Sequence, residues 1–580
     1  MCGIFCSVLH NVGLQSFKIP IALKEILRNR GPDVQDEMIV DYDAGQIIFS
    51  GNVLWQQGEG MQKQPVVAND FIFLFNGDIY NLPKPEYMSD TSWIASKISE
   101  CRYNENKLLK LLKKWEGPHC FIIYDKQDQI LYFSRDALGR NSLIIERIPN
   151  GLHLLSTSHR FENDKLSLEL PPMGLYKVNI NDLTSCVLHP WQPLNNYYVE
   201  LLSRLDQAVG WKTTVESPMS PEWMLKSKLT FDYDFYKYTY IDSHEDLYKK
   251  LINQPQIKES LATLHKLLSN SVRNRVTNKA PLCRLCLEKM TVPTLCGHAK
   301  LCILFSGGID CTILALLANE FVPQNEAIEL INVAFESVEG QNISEKLWDV
   351  PDRKTALLSI NELKQLCPKR CWKLLEVNVT RRELDQNLTT RIKHLIYPLE
   401  TVLDESLGCA FWFASHCDSS TARVALIGSG ADELFGGYAR HRNSFRHCQG
   451  SATERQLAVH NELEMDWQRI PARNLARDDR VIADNGKTAR SPFIEENVVK
   501  FIRSLEAYQK CCFCFPEGVG DKLLLRLYGF QIGLRGVVFL KKRAIQFGSR
   551  IANKKHKAVH QSDTLKQKLS AKVNISHTFS

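Results

Sequence analysis

An apolar run, Leu301-Cys302-Ile303-Leu304-Phe305, leads directly into Ser306-Gly307-Gly308-Ile309-Asp310, and the pattern of residues 311–319 predicts a helix after it. Strand, glycine-rich turn and helix together turn main-chain N–H groups toward an anion. Two glycines let the backbone approach a phosphate closely. Asp310 offers a carboxylate oxygen for Mg²⁺. The Gly-Lys-Ser/Thr ending of a Walker loop is absent. Strand and helix signals then alternate through residues 330–335, 373–377, 404–415 and 424–427, which predicts a parallel sheet with helices on both faces. A second loop, Gly428-Ser429-Gly430-Ala431-Asp432-Glu433, follows the last of these strands. Asp432 could complete a Mg²⁺ site with Asp310; alone, the loop reads equally well as a glycine turn with an acidic helix start.

The first 190 residues carry short β-like runs at 46–50, 71–75, 120–124 and 130–134, with helical spacing over 91–100 and 105–115. Removal of Met1 would leave Cys2 as the mature N-terminus, a thiol beside a free amine that titrates near neutrality. Nucleophile and base on one residue suit acyl transfer. Asn76 and Gly77 stand at a strand end, where an amide and a backbone N–H are natural oxyanion donors. Arg30-Gly31-Pro32-Asp33 puts a cation and a carboxylate in a turn, with Arg30 a candidate contact for substrate. Asp90 in Ser89-Asp90-Thr91 is either a binding carboxylate or part of a simple helix cap.

Met1-Cys2-Gly3-Ile4, Arg30-Gly31-Pro32-Asp33, Asn76-Gly77-Asp78-Ile79-Tyr80-Asn81, Ser89-Asp90-Thr91 and Arg135-Asp136-Ala137-Leu138-Gly139-Arg140 occur in the order found in class II, N-terminal nucleophile glutamine amidotransferases. The Ser306–Asp310 loop resembles the PP-loop of ATP pyrophosphatases. Both in one chain resemble the glutamine-hydrolysing asparagine synthetase family, and Val350-Pro351-Asp352-Arg353 together with Ala439-Arg440-His441-Arg442 after the second loop resembles in particular its divergent branch of asparagine synthetase domain-containing proteins. Further segments carry the likeness: Thr401-Val402-Leu403-Asp404-Glu405-Ser406, Asp478-Asp479-Arg480, Arg490-Ser491-Pro492-Phe493 and Lys541-Lys542-Arg543-Ala544.

The resemblance implies an N-terminal nucleophile-type αββα sandwich over residues 2–190, a connector over 191–255, and a parallel-sheet PP-loop domain of the adenine nucleotide alpha hydrolase-like class over 256–553 (Cys-rich insert 277–300). It implies glutamine hydrolysis at Cys2, adenylation of aspartate by ATP and Mg²⁺, and ammonia transfer to give asparagine, AMP and pyrophosphate. Asn76 and Gly77 would stabilise the oxyanion, and Asp90 would hold the glutamine amino group. Ser306, Gly307, Gly308 and Asp310 would bind pyrophosphate and metal. Leu304 and Val333 would flank the adenine, Gly428 would approach the nucleotide, and Lys542 or Arg543 would meet the phosphates.

Three departures stand out. The strand after the Arg30–Asp33 turn, where the family places a glutamine-clamping arginine, reads Gly51-Asn52-Val53-Leu54-Trp55. The second loop has Ser429 where the family has a glutamate, and the PP-loop has Cys311 for serine. Ser429 leaves open the same machinery acting on another carboxylate, or a non-catalytic ATP-binding protein with a regulatory role.

Cys283, Cys286, Cys296 and His298 form a C-x₂-C with a third thiol and an imidazole close behind, either a Cys₃His zinc knuckle or a loop with free thiols. The eighteen cysteines read as reduced thiols of a cytoplasmic protein. No apolar run approaches the roughly 20 residues of a membrane span. Of the net charge of +7, +5 falls after Asn553, in a tail (554–580) that reads as a mobile basic terminus rather than a nucleic-acid module. A homodimer is one of the oligomeric states the sequence leaves open.

Overall fold

In a computed structural model the described residues are 2–10, 18–101, 104–159, 167–225, 231–289, 296–336, 347–551 and 562. All of the basic tail except Ser562 lies outside them. Three sheets form among the described residues. The first runs, edge to edge, Ser167–Glu169, Ile144–Ile148, Gly151–Leu155, Gly3–His10, Gly45–Val53, Val34–Tyr42. The second runs Lys212–Val215, Asp182–Pro190, Gly174–Asn179, Ile130–Arg135, His119–Asp125, Phe71–Gly77, Val66–Ala68.

Strand alternation decides how these two sheets stack. In Gly3–His10, Ile4, Cys6 and Val8 point into a core shared with Ile72, Leu74, Cys120 and Ile122 of the second sheet. Phe5 and Leu9 point the other way, against Leu23 and Leu27 of the helix Ile21–Arg30. Phe71, Phe73 and Phe75 likewise turn outward onto helices Asp90–Glu100 and Glu105–Leu112. The result is the expected αββα sandwich. The second sheet reaches past residue 190: Lys212–Val215 adds a parallel edge strand to Asp182–Pro190. Its run, Lys-Thr-Thr-Val, is short and polar, and the sequence hid it in the connector. The intervening helix Asn196–Val209 is capped by the Asn195 side chain and stopped by Gly210 at φ +76°.

The third sheet is parallel throughout, in the order Trp372–Val379, Ile328–Phe335, Leu301–Leu304, Val424–Leu426, Thr488–Arg490. Its central strands are apolar on both faces because both are covered. Leu301 and Ile303 face one core, which includes Ile313 and Leu317. Cys302 faces the other, with Trp412 and Phe413. The helix Val402–Ser415 owes its start to a capping box in which Thr401 and Asp404 satisfy each other's backbone N–H groups.

Buried ion pairs join the two α/β units. Arg490 meets Asp78, Arg30 meets Asp479, Arg423 meets Asp33, Arg480 meets Glu169, and Arg140 meets Glu496. Removing one partner of such a pair costs about 3–5 kcal/mol, since the other charge stays buried.

Candidate functional site

Cys2 lies just ahead of the strand Gly3–His10. Its main-chain nitrogen donates to Asn76 Oδ1 at 2.7 Å. Its carbonyl accepts from Arg30 Nε and Ser156 Oγ, both at 3.3 Å. Gln64 Nε2 approaches the thiol at 3.7 Å, and the Leu54 N–H is directed at it. Burial pushes the Cys2 thiol up, against the lowering pull of the positive chain terminus and Arg30. A thiol in this setting is mainly protonated near neutrality and needs a base to become a nucleophile.

The Asn76 amide nitrogen does not face the thiol: it points at Cys120 Sγ, 3.6 Å away. The carboxamide acts here as an acceptor toward Cys2, a different orientation from the oxyanion donor expected. Gly77 follows at the strand end, where a Cβ would sit 2.2 Å from Pro118 O, so only glycine fits. Asp90 is buried at the start of its helix and accepts from Ile79 N at 2.8 Å and Gln57 Nε2 at 3.0 Å, with Lys84 Nζ at 3.4 Å. Burial, reinforced by Asp78, pushes the Asp90 carboxyl up to about 6. Gln57 also donates to Asp78 Oδ1 at 2.9 Å, and Asp78 takes the Arg490 guanidinium bidentately at 3.0 Å.

Arg30, the candidate substrate contact of the Gly-Pro turn, bonds to the backbone of Cys2. It closes the helix Ile21–Arg30, is fully buried, and gives Nε to the Cys2 carbonyl and Nη2 to Asp479, 3.2 Å away, while Nη1 has no partner among the described residues. It braces the Cys2 backbone against the second domain. Asp479 lies 449 residues along the chain, so nothing local to the turn signalled it.

The second centre is a cavity of about 710 Å³ at the carboxyl end of the parallel sheet. Leu304, Ser306, Gly308, Asp310, Val333 and Gly428 line it, with Asp432, Lys542 and Arg543 opposite the loop. Gly307 stands behind: its φ is +76°, and a Cβ there would meet Ala356 N and Thr355 C at 2.4 Å. Gly308 precedes the helix Ile309–Phe321, whose first N–H groups receive no capping side chain. A Cβ on Gly428 would press on Asp310 at 3.1 Å, so the two loops are in contact.

Asp310 and Asp432 converge on Lys522, a residue absent from the sequence-level site. Lys522 Nζ lies 2.8 and 2.6 Å from the Asp310 carboxylate oxygens and 2.7 Å from Asp432 Oδ1. Lys542 Nζ reaches Asp432 Oδ2 at 2.5 Å. Although burial works to raise it, the two ammonium groups hold the Asp432 carboxyl well below the usual carboxylate range. Two carboxylates meeting on one cation fit a hard metal ion such as Mg²⁺. Lys542 and Arg543 both bear on Asp352, whose carboxyl burial pushes up to about 7.

Sequence reasoning also missed Asp478. It lines the cavity, and its carboxylate is held by Arg477 at 2.8 Å and by the Ser429 side chain. Burial pushes it up to about 6, against Arg477 and Ser429. The Asp478-Asp479-Arg480 run was visible; which of its members faces the cavity was not.

Between the centres lies a small void of about 20 Å³. Asn141, whose Nδ2 donates to the Asn76 carbonyl at 2.8 Å, borders it on one side, and Ile427, next to Gly428, on the other. Cys283, Cys286, Cys296 and His298 converge outside the large cavity.

Comparison with known proteins agrees with this division. Residues 1–185 match the glutamine amidotransferase domain model and residues 294–526 the asparagine synthase model. An asparagine synthetase domain-containing protein of Drosophila melanogaster is 74% identical over 97% of this chain and 100% of its own length. Asparagine synthetase domain-containing protein 1 of Homo sapiens is 34% identical over 95% of both chains. A Saccharomyces cerevisiae protein of the same description is 28% identical over 87% of this chain and 84% of its own. The chain belongs to the asparagine synthetase domain-containing proteins, in which a glutamine amidotransferase domain is followed by an asparagine synthase domain.

Proposed function

We propose that this protein is a glutamine-dependent, ATP-consuming amidotransferase that converts aspartate to asparagine. The observation that carries the proposal is the pairing of Asp310 and Asp432 about one ammonium, across a glycine loop, in a cavity of about 710 Å³. That volume suits a nucleotide and a small acid. With Met1 removed, the Cys2 amine, held by Asn76, takes the thiol proton. The thiolate attacks the glutamine side-chain amide, ammonia leaves, and water releases glutamate from the thioester. Asp90 takes the glutamine α-ammonium, and the oxyanion forms at the strand end beside Gly77, where Asn76 can donate to it only by turning its amide nitrogen away from Cys120.

In the second domain the aspartate side-chain carboxylate attacks the ATP α-phosphorus and pyrophosphate leaves. Ser306, Gly307 and Gly308 cradle the phosphates, and Lys522, Lys542 and Arg543 supply positive charge. Asp310 and Asp432 would hold Mg²⁺, which neutralises charge on the leaving pyrophosphate when bound. Leu304 and Val333 would flank the adenine, and Gly428 leaves room beside it. Ammonia crosses by way of the void bordered by Asn141 and Ile427 and displaces AMP to form the amide. A void that holds one water-sized molecule suffices for ammonia. Asp478, rather than a residue at position 429, would take the proton that ammonia loses. The cysteines, all free, fit a reducing cytoplasmic setting. Among the described residues no helix is long and apolar enough to cross a membrane.

Ser429 favours a second reading, the same chemistry on another carboxylate, because the acid-recognising loop differs there from the family pattern. The test is pyrophosphate release with ATP, Mg²⁺ and aspartate, comparing glutamine with ammonium and including Cys2→Ala. Asparagine plus pyrophosphate, with Cys2 required only for glutamine, is expected. Pyrophosphate exchange with a different acid supports the second reading. No turnover by a folded, ATP-binding protein overturns both.

A further inference from the structure

We propose that Cys283, Cys286, Cys296 and His298 form a structural zinc site. The four ligand atoms lie within 4.8 Å of one another, and His298 Nδ1 is 3.5, 3.5 and 3.6 Å from the sulfurs of Cys283, Cys286 and Cys296. The Cys286 and Cys296 sulfurs are 3.6 Å apart. Hydrogen bonding does not account for this arrangement. An imidazole Nδ1 carries one proton or one lone pair, so it can satisfy one thiol and not three. A metal at the centre satisfies all of them. Zinc bonds of about 2.3 Å to sulfur and 2.0–2.1 Å to nitrogen at tetrahedral angles set S···N edges near 3.6 Å and S···S edges near 3.8 Å. The separations of 3.5–3.6 Å seen here match these edges.

The surroundings are those of a built site. Cys283 caps the short helix Arg284–Glu288, and the Cys286 N–H donates to its sulfur at 3.4 Å, a bond that favours the thiolate. Both cysteines are buried, while Cys296 is partly exposed and His298 exposed, so the ion has an entry path. The helix is tied down by Arg284 N to Thr421 O at 2.9 Å, and Thr421 Oγ1 in turn donates to Ala299 O at 2.7 Å. Three thiolates and one imidazole select zinc over Mg²⁺ or Ca²⁺. Four protein ligands leave no open position, so the ion holds structure. It ties the insert to Ala299, two residues before the strand Leu301–Leu304 that carries the PP-loop, and it is independent of both catalytic proposals.

The full chain, purified without chelator, should contain about one zinc per chain by elemental analysis. The cobalt-substituted protein should show tetrahedral d–d bands and thiolate charge-transfer bands. Cys286→Ser and His298→Ala should each weaken cobalt binding by at least about tenfold. If Cys286→Ser fails to fold, the cobalt spectrum of the unaltered protein decides. A zinc-free protein that takes up no cobalt, or a Cys286–Cys296 disulfide in its place, would overturn the proposal.

Discussion

The Lys522 ammonium donates to both carboxylate oxygens of Asp310, at 2.8 and 2.6 Å. Lys522 stands at φ +53°, a left-handed conformation that costs a lysine about 1–3 kcal/mol, immediately before the helix Leu523–Gln531. That backbone turn fixes the origin of a side chain that runs back between the two glycine loops. Burial opposes its charge, but Asp310 and Asp432 hold it protonated. The ammonium keeps the two carboxylates together and, on the proposed function, would add a donor beside the phosphates.

Lys522→Met should therefore fail in two separable ways. Two carboxylates lose their shared cation, so thermal stability without Mg²⁺ should fall, by about 3 kcal/mol on the scale of a broken buried pair. Added Mg²⁺ should restore part of that loss, since it offers the carboxylates a new cation. ATP–pyrophosphate exchange should drop by about 10²-fold or more even with Mg²⁺ saturating, from the missing donor. Glutamine hydrolysis at Cys2 should be unchanged. Unfolding curves with and without Mg²⁺, beside the exchange assay, check both limbs.

Asp478 offers the large cavity a carboxyl with affinity for a proton near neutrality, which Ser429 lacks. Asp478→Asn keeps the shape and the Ser429 contact but removes the proton acceptor. Pyrophosphate release should persist while amide formation falls by about 10²-fold, within the usual range for a lost general base. In the unaltered protein the amide-forming step should rise with pH through about 6, where burial has moved this carboxyl, and the asparagine variant should lose that rise. Equal loss of both steps would assign Asp478 to ATP binding instead.

Much of this arrangement was legible in the chain because it is local. Ser306 to Asp310 and Gly428 to Asp432 are contiguous, and each follows an apolar strand, so residue type and spacing carry the loops intact. The sandwich was legible from alternation, as in Ile4, Cys6 and Val8 against Phe5 and Leu9. What could not be read is whatever single residues bring from far away. Lys522, Arg490 and Asp479 carry no pattern that names Asp310, Asp78 or Arg30 as partners. Lys522 had one signal, its place after Gly518-Val519-Gly520-Asp521 and before the apolar run from Leu523, but a glycine turn before a helix is common. The ion pair of Arg30 was illegible for the same reason: its partner Asp479 arrives from the other domain.

Asp90, in its proposed role of holding the glutamine ammonium, should make glutamine use pH-dependent. Burial and the neighbouring Asp78 place its carboxyl at about 6, so it is charged above that pH and neutral below. A charged carboxylate attracts the substrate ammonium, and a neutral one does not. The KM for glutamine should accordingly rise as pH falls through about 6, with kcat much less affected. Asp90→Asn should raise KM by about 10- to 100-fold, the range for a lost charged hydrogen bond, and flatten that pH dependence. Steady-state glutaminase profiles of the two proteins decide it.

Ala489 tests the passage between the centres. It sits in the strand Thr488–Arg490, opposite Ala425, and borders the void of about 20 Å³. Filling that space with Ala489→Leu should cost about 1–3 kcal/mol of stability through overpacking. The chemistry at each end should be intact, because neither Cys2 nor the PP-loop changes. Glutamine hydrolysis and ammonium-dependent amide formation should both stay within a few-fold of the unaltered protein. Glutamine-dependent amide formation should fall, and free ammonia should appear in the medium in step with glutamate. Ala489→Ser, nearly isosteric, should retain coupling. If the leucine variant still couples glutamate to amide one for one, ammonia travels by another route. If all three rates fall together, the side chain matters for the interface between the domains and not for the traffic across it.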